Sequence, residues 1–442
     1  ALHAQQRYAR AVYAHQRTRC RAKMGKEAPS ILSSSLTALL QAATPICDRR
    51  EEVSEEHATG ELVAQADVLL KQLDALDCET KGTPTERALA LCVRGKLLDV
   101  SPKFNLEAEQ ALTRAVKLMP SLVEAWNVLG HCYWKKGDLQ TARHCFVGAL
   151  KKGQNKTSLQ QLSMLKRSLA KGDPQKSAQL IEESMQHAKD ALALDVADAR
   201  SWYCMGNAYL SMYFRNGASD PNILRSSLKA YQNAEKGGEP SKLPDLHFNR
   251  AMVHQYLGDH QLALEGFSTA GKLDPSLPWM PEVEAILTLV SRVHEVVEAK
   301  GHLKSKRLQQ LVSSITTSDA PANLKAVGIC DLSVGGNPGT CVQCKIVQGI
   351  SDKNAVPLYY VLVDHVGDFF AVSVLGLDDS AMKSNSVLTL LEPLLKPTTC
   401  TWNGKAVRCV CVRVEGPRQI LVGGMMPMGF QSSPTLQTTT LS

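Results

Sequence analysis

Residues 123–149 read VEAWNVLGHCYWKKGDLQTARHCFVGA, and this stretch decides the fold. Its first half follows the spacing W-x2-L-G-x2-Y, and its second half follows A-x3-F-x2-A. Large side chains at this spacing fill the space between two antiparallel helices, whereas Gly130 and Ala142 stand where the helices approach too closely for bulk. A chance match in an ordinary amphipathic hairpin is the alternative, and matches at seven fixed positions count against it. The stretch therefore predicts a packed helix pair.

The unit recurs along the chain, as expected for an array of tetratricopeptide repeats. Helix pairs are expected in residues 88–120, 123–149, 157–195, 199–236 and 244–275. A sixth pair is expected within 61–80, where leucines are spaced helically. Residues 279–299 are expected to form a capping helix. Such an array stacks into a right-handed superhelix with one concave face.

The concave face is lined by the first helix of each repeat, chiefly through its positions 2, 5, 9 and 12. Those positions hold Glu124, Asn127, His131 and Trp134, then Arg200, Tyr203, Asn207 and Leu210, then Asp245, Phe248, Met252 and Gln255. Paired asparagines such as Asn127 and Asn207 can hold a peptide main chain through amide donor and acceptor together. The pattern favours a peptide-binding groove. A solvated helix face and a clamp for chaperone C-terminal carboxylates are the alternatives.

From residue 325 the hydrophobic period changes from helical to strand-like. Strands are expected at 340–347, 358–363, 369–375, 387–391 and 407–414, and Asn403-Gly404 is a strong hairpin signal. About five strands in 100 residues are typical of a small closed barrel of the OB type. Eight basic and seven acidic residues lie between 340 and 424, so binding of single-stranded nucleic acid is the less favoured use of this barrel.

The predicted fold class is therefore α+β multidomain, with a tetratricopeptide-repeat α-solenoid followed by a small OB-fold-like β-barrel. Five segments are expected: a basic, disordered or atypical N-terminal extension (1–60), the superhelix with its capping helix (61–300), a basic, Ser/Thr-rich linker (301–324), the OB-fold-like domain (325–424) and a disordered tail (425–442).

Charge is unevenly distributed along the 442 residues, whose formal net charge is +7. Residues 1–50 hold nine basic and two acidic side chains, so the rest of the chain is neutral overall and carries no global basic field. These fifty residues are interpreted as a fragmentary or mis-predicted start, with a divergent extension and a targeting signal as alternatives. No apolar run approaches the roughly 18–20 residues of a membrane-spanning helix, so no membrane partner is expected.

Motifs for catalysis are missing from the sequence, which has no nucleophile elbow, phosphate loop, metalloprotease helix or paired-carboxylate motif. The pairs Cys341/Cys344 and Cys409/Cys411 are poorly spaced for a zinc knuckle and are interpreted as buried apolar thiols. The thirteen cysteines are expected to be reduced, as in an intracellular protein. The sequence predicts a non-enzymatic protein without a cofactor or a metal.

Four cations follow the capping helix within eight residues: Lys300, Lys304, Lys306 and Arg307. At the C-terminal end of a helix, solvated cations interact favourably with the helix dipole. The same charges could also contact a phosphate backbone such as ribosomal RNA. Both interpretations stay open.

Several stretches resemble the tetratricopeptide repeat protein 5 (Strap) family. They are Leu122-Val-Glu-Ala-Trp-Asn, Tyr133-Trp-Lys-Lys-Gly-Asp138, Arg200-Ser-Trp-Tyr203, Gly206-Asn-Ala-Tyr-Leu-Ser211, Pro244-Asp-Leu-His and Ala263-Leu-Glu-Gly-Phe-Ser268. A repeat array, a basic hinge and an OB-like barrel in this order are also an uncommon combination. The resemblance is close over residues 90–310 and weaker over 325–420.

The resemblance implies an adaptor that recognises the N-terminal Met-Arg-Glu peptide of nascent α- and β-tubulin at the ribosome exit tunnel and triggers decay of the translated mRNA. The family's groove residues correspond to Arg167 and Asp245. By charge complementarity, Asp245 is expected to meet the arginine of the peptide and Arg167 its glutamate. A third family position, which is acidic, is Trp279 here, with Glu282 three residues further on.

The hinge that contacts the ribosome in this family corresponds to Lys304 and Lys306. The family also implies an alternative function, as a nuclear, stress-responsive scaffold for an acetyltransferase coactivator in the p53 response and for an actin-nucleating cofactor. Cytoplasmic and nuclear localisation is therefore expected, without a sequence-specific nucleic-acid partner.

Overall fold

The structure is a computed structural model that describes residues 31–49, 56–217, 220–237, 243–315, 321–351, 355–377, 379–382 and 387–427. Contacts divide these residues into two compact units. The first unit contains the described residues up to 208 and those of 230–243. The second unit contains the described residues of 209–229 and those from 244 onward.

Helices build the first unit. They are α1 (Ile31–Arg49), α2 (Glu56–Ala75), α3 (Cys78–Lys81), α4 (Pro84–Leu98), α5 (Leu106–Leu118), α6 (Val123–Lys135), α7 (Leu139–Lys152), α8 (Lys156–Gly172) and α9 (Ser177–Leu194), with parts of α10 (Ala199–Arg215) and α11 (Pro221–Glu235). Several helix starts are fixed by side-chain caps. At α4, the Thr83 hydroxyl accepts from the Glu86 amide (3.3 Å) while the Glu86 carboxylate accepts from the Thr83 amide (2.8 Å), a capping box.

The repeat packing follows the sequence pattern. A Cβ placed on Gly130 would lie 2.6 Å from the Phe146 ring, and one placed on Gly148 would lie 3.2 Å from Trp126. Phe146 and Ala142 are fully buried between α6 and α7. The predicted pairs α4/α5, α6/α7 and α8/α9 are present, and close approach at small residues is what brings their helices together.

The N-terminal helices differ from the prediction. Residues 31–49 and 56–60, placed in an atypical extension by their charge, are helical, and the sixth helix pair is α1/α2 rather than a pair within 61–80. Leu36, Leu39 and Ala43 are buried in one core with residues of α2 and α4. Apolar spacing in α1 therefore outweighs the basic composition of its neighbourhood. Residues 1–30 of the predicted extension lie outside the described residues.

Four further helices lie in the second unit: α12 (Pro244–Tyr256), α13 (His260–Leu273), α14 (Trp279–Glu298) and α15 (Ser305–Ser313). Phe248 and Phe267 pack edge to face with ring centroids 5.1 Å apart, which joins α12 to α13. The predicted capping helix is α14. The predicted linker 301–324 differs from the structure, because residues 305–313 form α15 and Lys345 Nζ donates to Ser314 Oγ (2.8 Å) just beyond it.

Strands follow from residue 325: β1 (Lys325–Ala326), β2 (Gly335–Gly336), β3 (Thr340–Gly349), β4 (Leu358–Asp364), β5 (Phe369–Val374), β6 (Val387–Leu391), β7 (Leu394–Leu395), β8 (Thr398–Trp402), β9 (Lys405–Cys409), β10 (Cys411–Val414) and β11 (Ile420–Val422). One sheet runs in the order β11-β6-β3-β4-β5-β10-β7-β2, with β1 parallel to β3, and β8 pairs with β9 separately. The β8–β9 turn is Asn403-Gly404, both at positive φ, as the hairpin signal predicts.

Apolar contacts join helices and strands within the second unit. Val293 and Val296 of α14 share a core with Tyr359, Val361 and Cys411 of the sheet. A second shared core places Cys400, Trp402 and Val407 of the β8–β9 hairpin against α13 and α14. The last repeat, the capping helix and the β region thus form one compact body, whereas the sequence predicted a boundary between them at 301–324.

The first residue of the predicted tail makes a backbone contact with the β domain. Met425 pairs with Val422, and the rest of the predicted tail, from 428, lies outside the described residues. No helix within the described ranges has the length and apolar composition needed to span a membrane. The predicted α+β architecture, a solenoid followed by a β domain, is confirmed.

Candidate functional site

Arg167 is the most unusual charged group of the first unit. It lies on α8 and its side chain is almost fully buried. Its Nη1 donates to the Ser163 carbonyl (3.2 Å), to Ser163 Oγ (3.0 Å) and to Ser184 Oγ of α9 (3.2 Å). Its Nη2 is buried without a hydrogen-bond partner among the described residues. One arm of the guanidinium is therefore held by two serines, and the other arm has a donor capacity that no described residue uses.

Burial dominates the electrostatics of Arg167. Burial lowers the pKa of Arg167, and the neighbouring Tyr203, Cys204 and Tyr231 oppose this only in part. The pKa of Lys171, one turn along α8, is lowered by burial and by the charge of Arg167. Within the described part of the chain, no carboxylate forms an ion pair with Arg167. A buried cation without a counter-ion is costly, so this position favours an anionic ligand.

Asn207 lies in the same region of the first unit. The Tyr231 hydroxyl donates to Asn207 Oδ1 (2.6 Å), and Gly206 leaves room for the Tyr231 ring. Tyr203 packs against Tyr231 with ring centroids 6.2 Å apart. Since Tyr203 and Tyr231 both interact with Arg167, the structure brings the predicted residues Arg167 and Asn207 into one neighbourhood.

Asn127 has internal partners that the sequence analysis did not anticipate. Its Nδ2 donates to Asn155 Oδ1 (3.2 Å), and its Oδ1 accepts from Ser158 Oγ (2.5 Å). Asn155 is the N-cap of α8, so Asn127 ties α6 to the start of the next repeat. The described hydrogen bonds of Asn127 therefore hold neighbouring repeats together. The use of Asn127 and Asn207 as a pair that binds a peptide main chain stays a prediction.

Ser163 and Ser184 are site residues that sequence reasoning missed. Both are fully buried, and Ser184 Oγ donates to the Ser163 carbonyl (2.8 Å). Leu159, Ser163 and Arg167 share one face of α8 at intervals of four residues. The position of Ser163 one turn before Arg167 was the available signal, because Ser184 lies 21 residues away on another helix.

Acidic candidates lie in the second unit. Asp245 is in the first turn of α12 and is buried. Glu282 is in the first turn of α14, its pKa is raised by burial, and a hydrogen bond with Gln255 lowers it in part. An acidic side chain in the first turn of a helix also interacts favourably with the helix dipole. Helix stabilisation is therefore the alternative to ligand binding for both residues. Trp279, at the family's acidic position, packs against Gly271 of α13.

The basic hinge has a defined backbone. Lys300, Gly301 and His302 have φ values of 46°, 63° and 53°, and Val347 of β3 packs against Gly301 where a Cβ would stand. A residue other than glycine at 301 would therefore be disfavoured for two reasons: its backbone would have a positive φ, and its Cβ would clash with Val347. Lys304 and Lys306, at the start of α15, are both exposed. The hinge thus presents these two predicted ribosome-contact cations to solvent.

Curated relatives match most of the chain. Tetratricopeptide repeat protein 5 of Mus musculus is 39% identical over 363 residues, which cover 78% of this chain and 82% of the relative. The protein of the same name from Homo sapiens is 38% identical over 371 residues, covering 80% and 84%. The chain belongs to the tetratricopeptide repeat protein 5 family.

Domain profiles agree with this family. A profile described as the tetratricopeptide repeat protein 5 OB fold domain matches residues 323–431, and a tetratricopeptide repeat profile matches 123–151. Among solved structures, YrrB, a TPR protein with an unusual peptide-binding site, covers 47% of this chain and 96% of its own at 17% identity and a TM-score of 0.32. That likeness is too low to inform function. The family match supports a tetratricopeptide-based adaptor for protein interactions.

Polar contacts anchor the OB fold domain of this family member to its last repeat, within the second unit. Arg413 of β10 is buried, and its guanidinium donates to the carbonyls of Leu257 and Tyr256 (3.4 Å for the latter), where α12 ends. Lys396 forms an ion pair with Asp259. These contacts bridge about 140 to 160 residues of sequence and none was predicted.

Three of the four cysteines in the predicted pairs of the OB fold domain are described by the structure. Cys341, Cys344 and Cys411 are buried, and burial raises the pKa of each thiol. The side chain of Cys409 lies outside what the structure describes. In the described ranges, no cluster of three or more His, Cys, Asp or Glu side chains could hold a metal ion. The interpretation of the three described cysteines as buried thiols is confirmed.

His260 should make the second unit sensitive to acid. Its Nε2 is hydrogen-bonded to the Tyr359 hydroxyl (2.8 Å), and burial, together with the charges of Lys396 and Arg413, lowers its pKa to about 4. The pKa of a histidine in an unfolded chain is about 6.5. As the pH falls from 7 towards 4, the unfolded state therefore binds more protons at this residue than the folded state does. Stability is therefore expected to drop by about 2 kcal/mol between pH 7 and pH 5.

Urea unfolding at pH 7 and at pH 5 measures this drop. His260→Gln keeps a hydrogen-bonding group that does not titrate, so its stability should change less over the same interval. Asp259, the nearest carboxylate, has a pKa lowered to about 2 and stays ionised throughout. An equal pH dependence in the parent chain and in His260→Gln would contradict the assignment to His260.

Proposed function

We propose that the chain is a non-enzymatic adaptor that binds the N-terminal peptide of nascent α- and β-tubulin on the ribosome and promotes decay of the mRNA being translated. The observation that carries this proposal is Arg167, a buried cation whose Nη2 has no protein partner in the described structure. A glutamate side chain supplies both the missing acceptor and the missing counter-charge. The glutamate at the third position of a Met-Arg-Glu terminus has this chemistry.

The arginine of such a peptide needs an acidic partner of its own. Asp245 and Glu282, each in the first turn of a helix of the second unit, carry that charge. Burial raises the pKa of Glu282, so a cationic ligand that favours its ionised form would lower it again. These assignments rest on charge complementarity and on the family to which the chain belongs.

Contact with the ribosome is assigned to the basic hinge. Lys304 and Lys306 are exposed beside a turn that Gly301 fixes against the sheet. Exposed cations in a fixed position suit the phosphate groups of ribosomal RNA. In this proposal the hinge supplies affinity for the ribosome, while the repeats supply selectivity for the peptide. The site of action would be the cytoplasm.

A peptide-binding experiment tests the proposal directly. The purified full chain is titrated with fluorescent peptides that begin Met-Arg-Glu or Met-Arg-Gln, and anisotropy gives both affinities. The glutamate peptide should bind about 10–100-fold more tightly, because a hydrogen-bonded charge contributes about 1.5–3 kcal/mol. Arg167→Met should abolish this discrimination, and Arg167→Lys should retain only part of it, since lysine lacks the two-armed fork.

Lys189→Ala is the matched control, because Lys189 is an exposed cation on the neighbouring helix α9. Circular dichroism and thermal unfolding check that each variant is folded. In cells, ribosomes recovered with the parent chain should be enriched in tubulin mRNA, and those recovered with Arg167→Met should not. Equal affinity of the parent chain for both peptides would overturn the proposal.

A further inference from the structure

The contact between α8 and α9 contains two serines where apolar side chains would pack better. Ser163 and Ser184 are fully buried, and their hydroxyl oxygens lie 3.0 Å apart. Burying a hydroxyl costs free energy unless it is hydrogen-bonded. Here the bonds are made, because Ser184 donates to the Ser163 carbonyl and both hydroxyls accept from Arg167. The serine pair and the arginine form one closed network.

We infer that Ser163 and Ser184 are positioning residues that set the orientation of Arg167 for recognition of an acidic ligand side chain. This inference rests on the proposed function and deepens it. A guanidinium has five N–H donors in a fixed plane. Three acceptors, from two helices, converge on Nη1, so the plane of the group cannot turn freely. The same plane fixes the direction in which Nη2 points.

The division of contacts between the two arms supports this role. The hydrogen bonds that Arg167 makes to described residues all fall on Nη1, while Nη2 makes none to them. The neutral hydroxyls hold the cation without neutralising its charge. A carboxylate at either serine position would neutralise it. Lys166, the preceding residue on α8, is by contrast paired with Glu183. The serines therefore hold the Arg167 guanidinium in place without adding a negative charge to it.

Ser184→Ala and Ser163→Ala test the inference through peptide selectivity. Each removes one acceptor from Arg167 and keeps a small residue in the helix. Affinity for the Met-Arg-Glu peptide should fall about 5–10-fold, less than for loss of a direct bond to the ligand because Nη1 keeps two of its three acceptors, while affinity for Met-Arg-Gln stays unchanged. The double variant should lose most of the discrimination. In the Arg167→Met background, the serine substitutions should have no further effect on selectivity.

Ser201→Ala is the matched control. Ser201 is also a fully buried serine of the first unit, but it is bonded to Asp198 and Gln160 rather than to Arg167. It should leave the ratio of the two affinities unchanged. A purely structural role for Ser163 and Ser184 would lower both affinities together, and that result would overturn the inference.

A second measurement separates this inference from the proposed function. In protein labelled with ¹⁵N-arginine, the Arg167 guanidinium, assigned with Arg167→Lys, should show slow rotation of its Nη1 group. Rotation should become fast in the Ser163→Ala/Ser184→Ala double variant. If neither peptide binds the parent chain, the proposed function fails while the slow rotation still supports positioning. Fast rotation in the parent chain would overturn the positioning role itself.

Discussion

Replacing Arg413 by methionine is expected to lower the free energy of unfolding of the second unit by about 3–5 kcal/mol. Arg413 is buried and donates to the carbonyls of Tyr256 and Leu257 at the end of α12, while its Nε donates to Glu415 (3.2 Å). A cation at a helix C-terminus also interacts favourably with the helix dipole. Methionine fills much of the same space, but it leaves the two carbonyls without this donor.

Urea unfolding followed by tryptophan fluorescence measures the loss. Arg418→Met is the matched control, because Arg418 is an exposed arginine of the same β domain, and its substitution should cost less than about 0.5 kcal/mol. Arg413→Lys should fall between the two, since lysine carries the charge without the planar fork. Equal stability of Arg413→Met and Arg418→Met would show that the anchor contributes nothing.

Local patterns made most of the fold predictable. The W-x2-L-G-x2-Y spacing works because Gly130 and Phe146 must meet between two helices, and that requirement is visible within 27 residues of sequence. Asn403-Gly404 likewise specifies its hairpin through positive φ at two adjacent residues. Each of these features depends on neighbours in sequence. The structure of segments that depend on such neighbours can therefore be predicted from the sequence.

Long-range contacts were not predictable in the same way. Arg413 and His260 look like ordinary polar residues in sequence, and only the fold brings them to Leu257 and Tyr359. Their partners lie about 100 to 160 residues away in sequence, so no local periodicity or motif spacing predicts these contacts. The helix within the expected linker at 301–324 was missed for a similar reason. The charge of this segment indicated a solvated hinge, and the apolar faces that pack together on both sides of it lie far apart in sequence.

The candidate site shows the same division. The family resemblance identified Arg167 as a candidate site residue. Only the structure shows that its side chain is buried without a counter-ion among the described residues. Asn127 was placed on the groove by its position in the repeat, yet its amide bonds Asn155 and Ser158 of the following repeat. Positions that face the groove also face the next repeat. Sequence position therefore cannot separate a ligand contact from a contact that holds repeats together.

Val293→Asp is expected to destabilise the second unit by at least about 4 kcal/mol, combining the lost burial of a valine with the cost of burying a carboxyl group. Val293 is 2% exposed, in the core that α14 shares with Tyr359 and Val361. Because this core belongs to the capping helix and the sheet equally, both should open together. Hydrogen exchange should show amides of α14, β4 and β5 losing protection by the same factor. Ser291→Asp, at an exposed position of α14, should leave that protection intact. Loss of protection in α14 with the sheet unchanged would mean that the two fold independently.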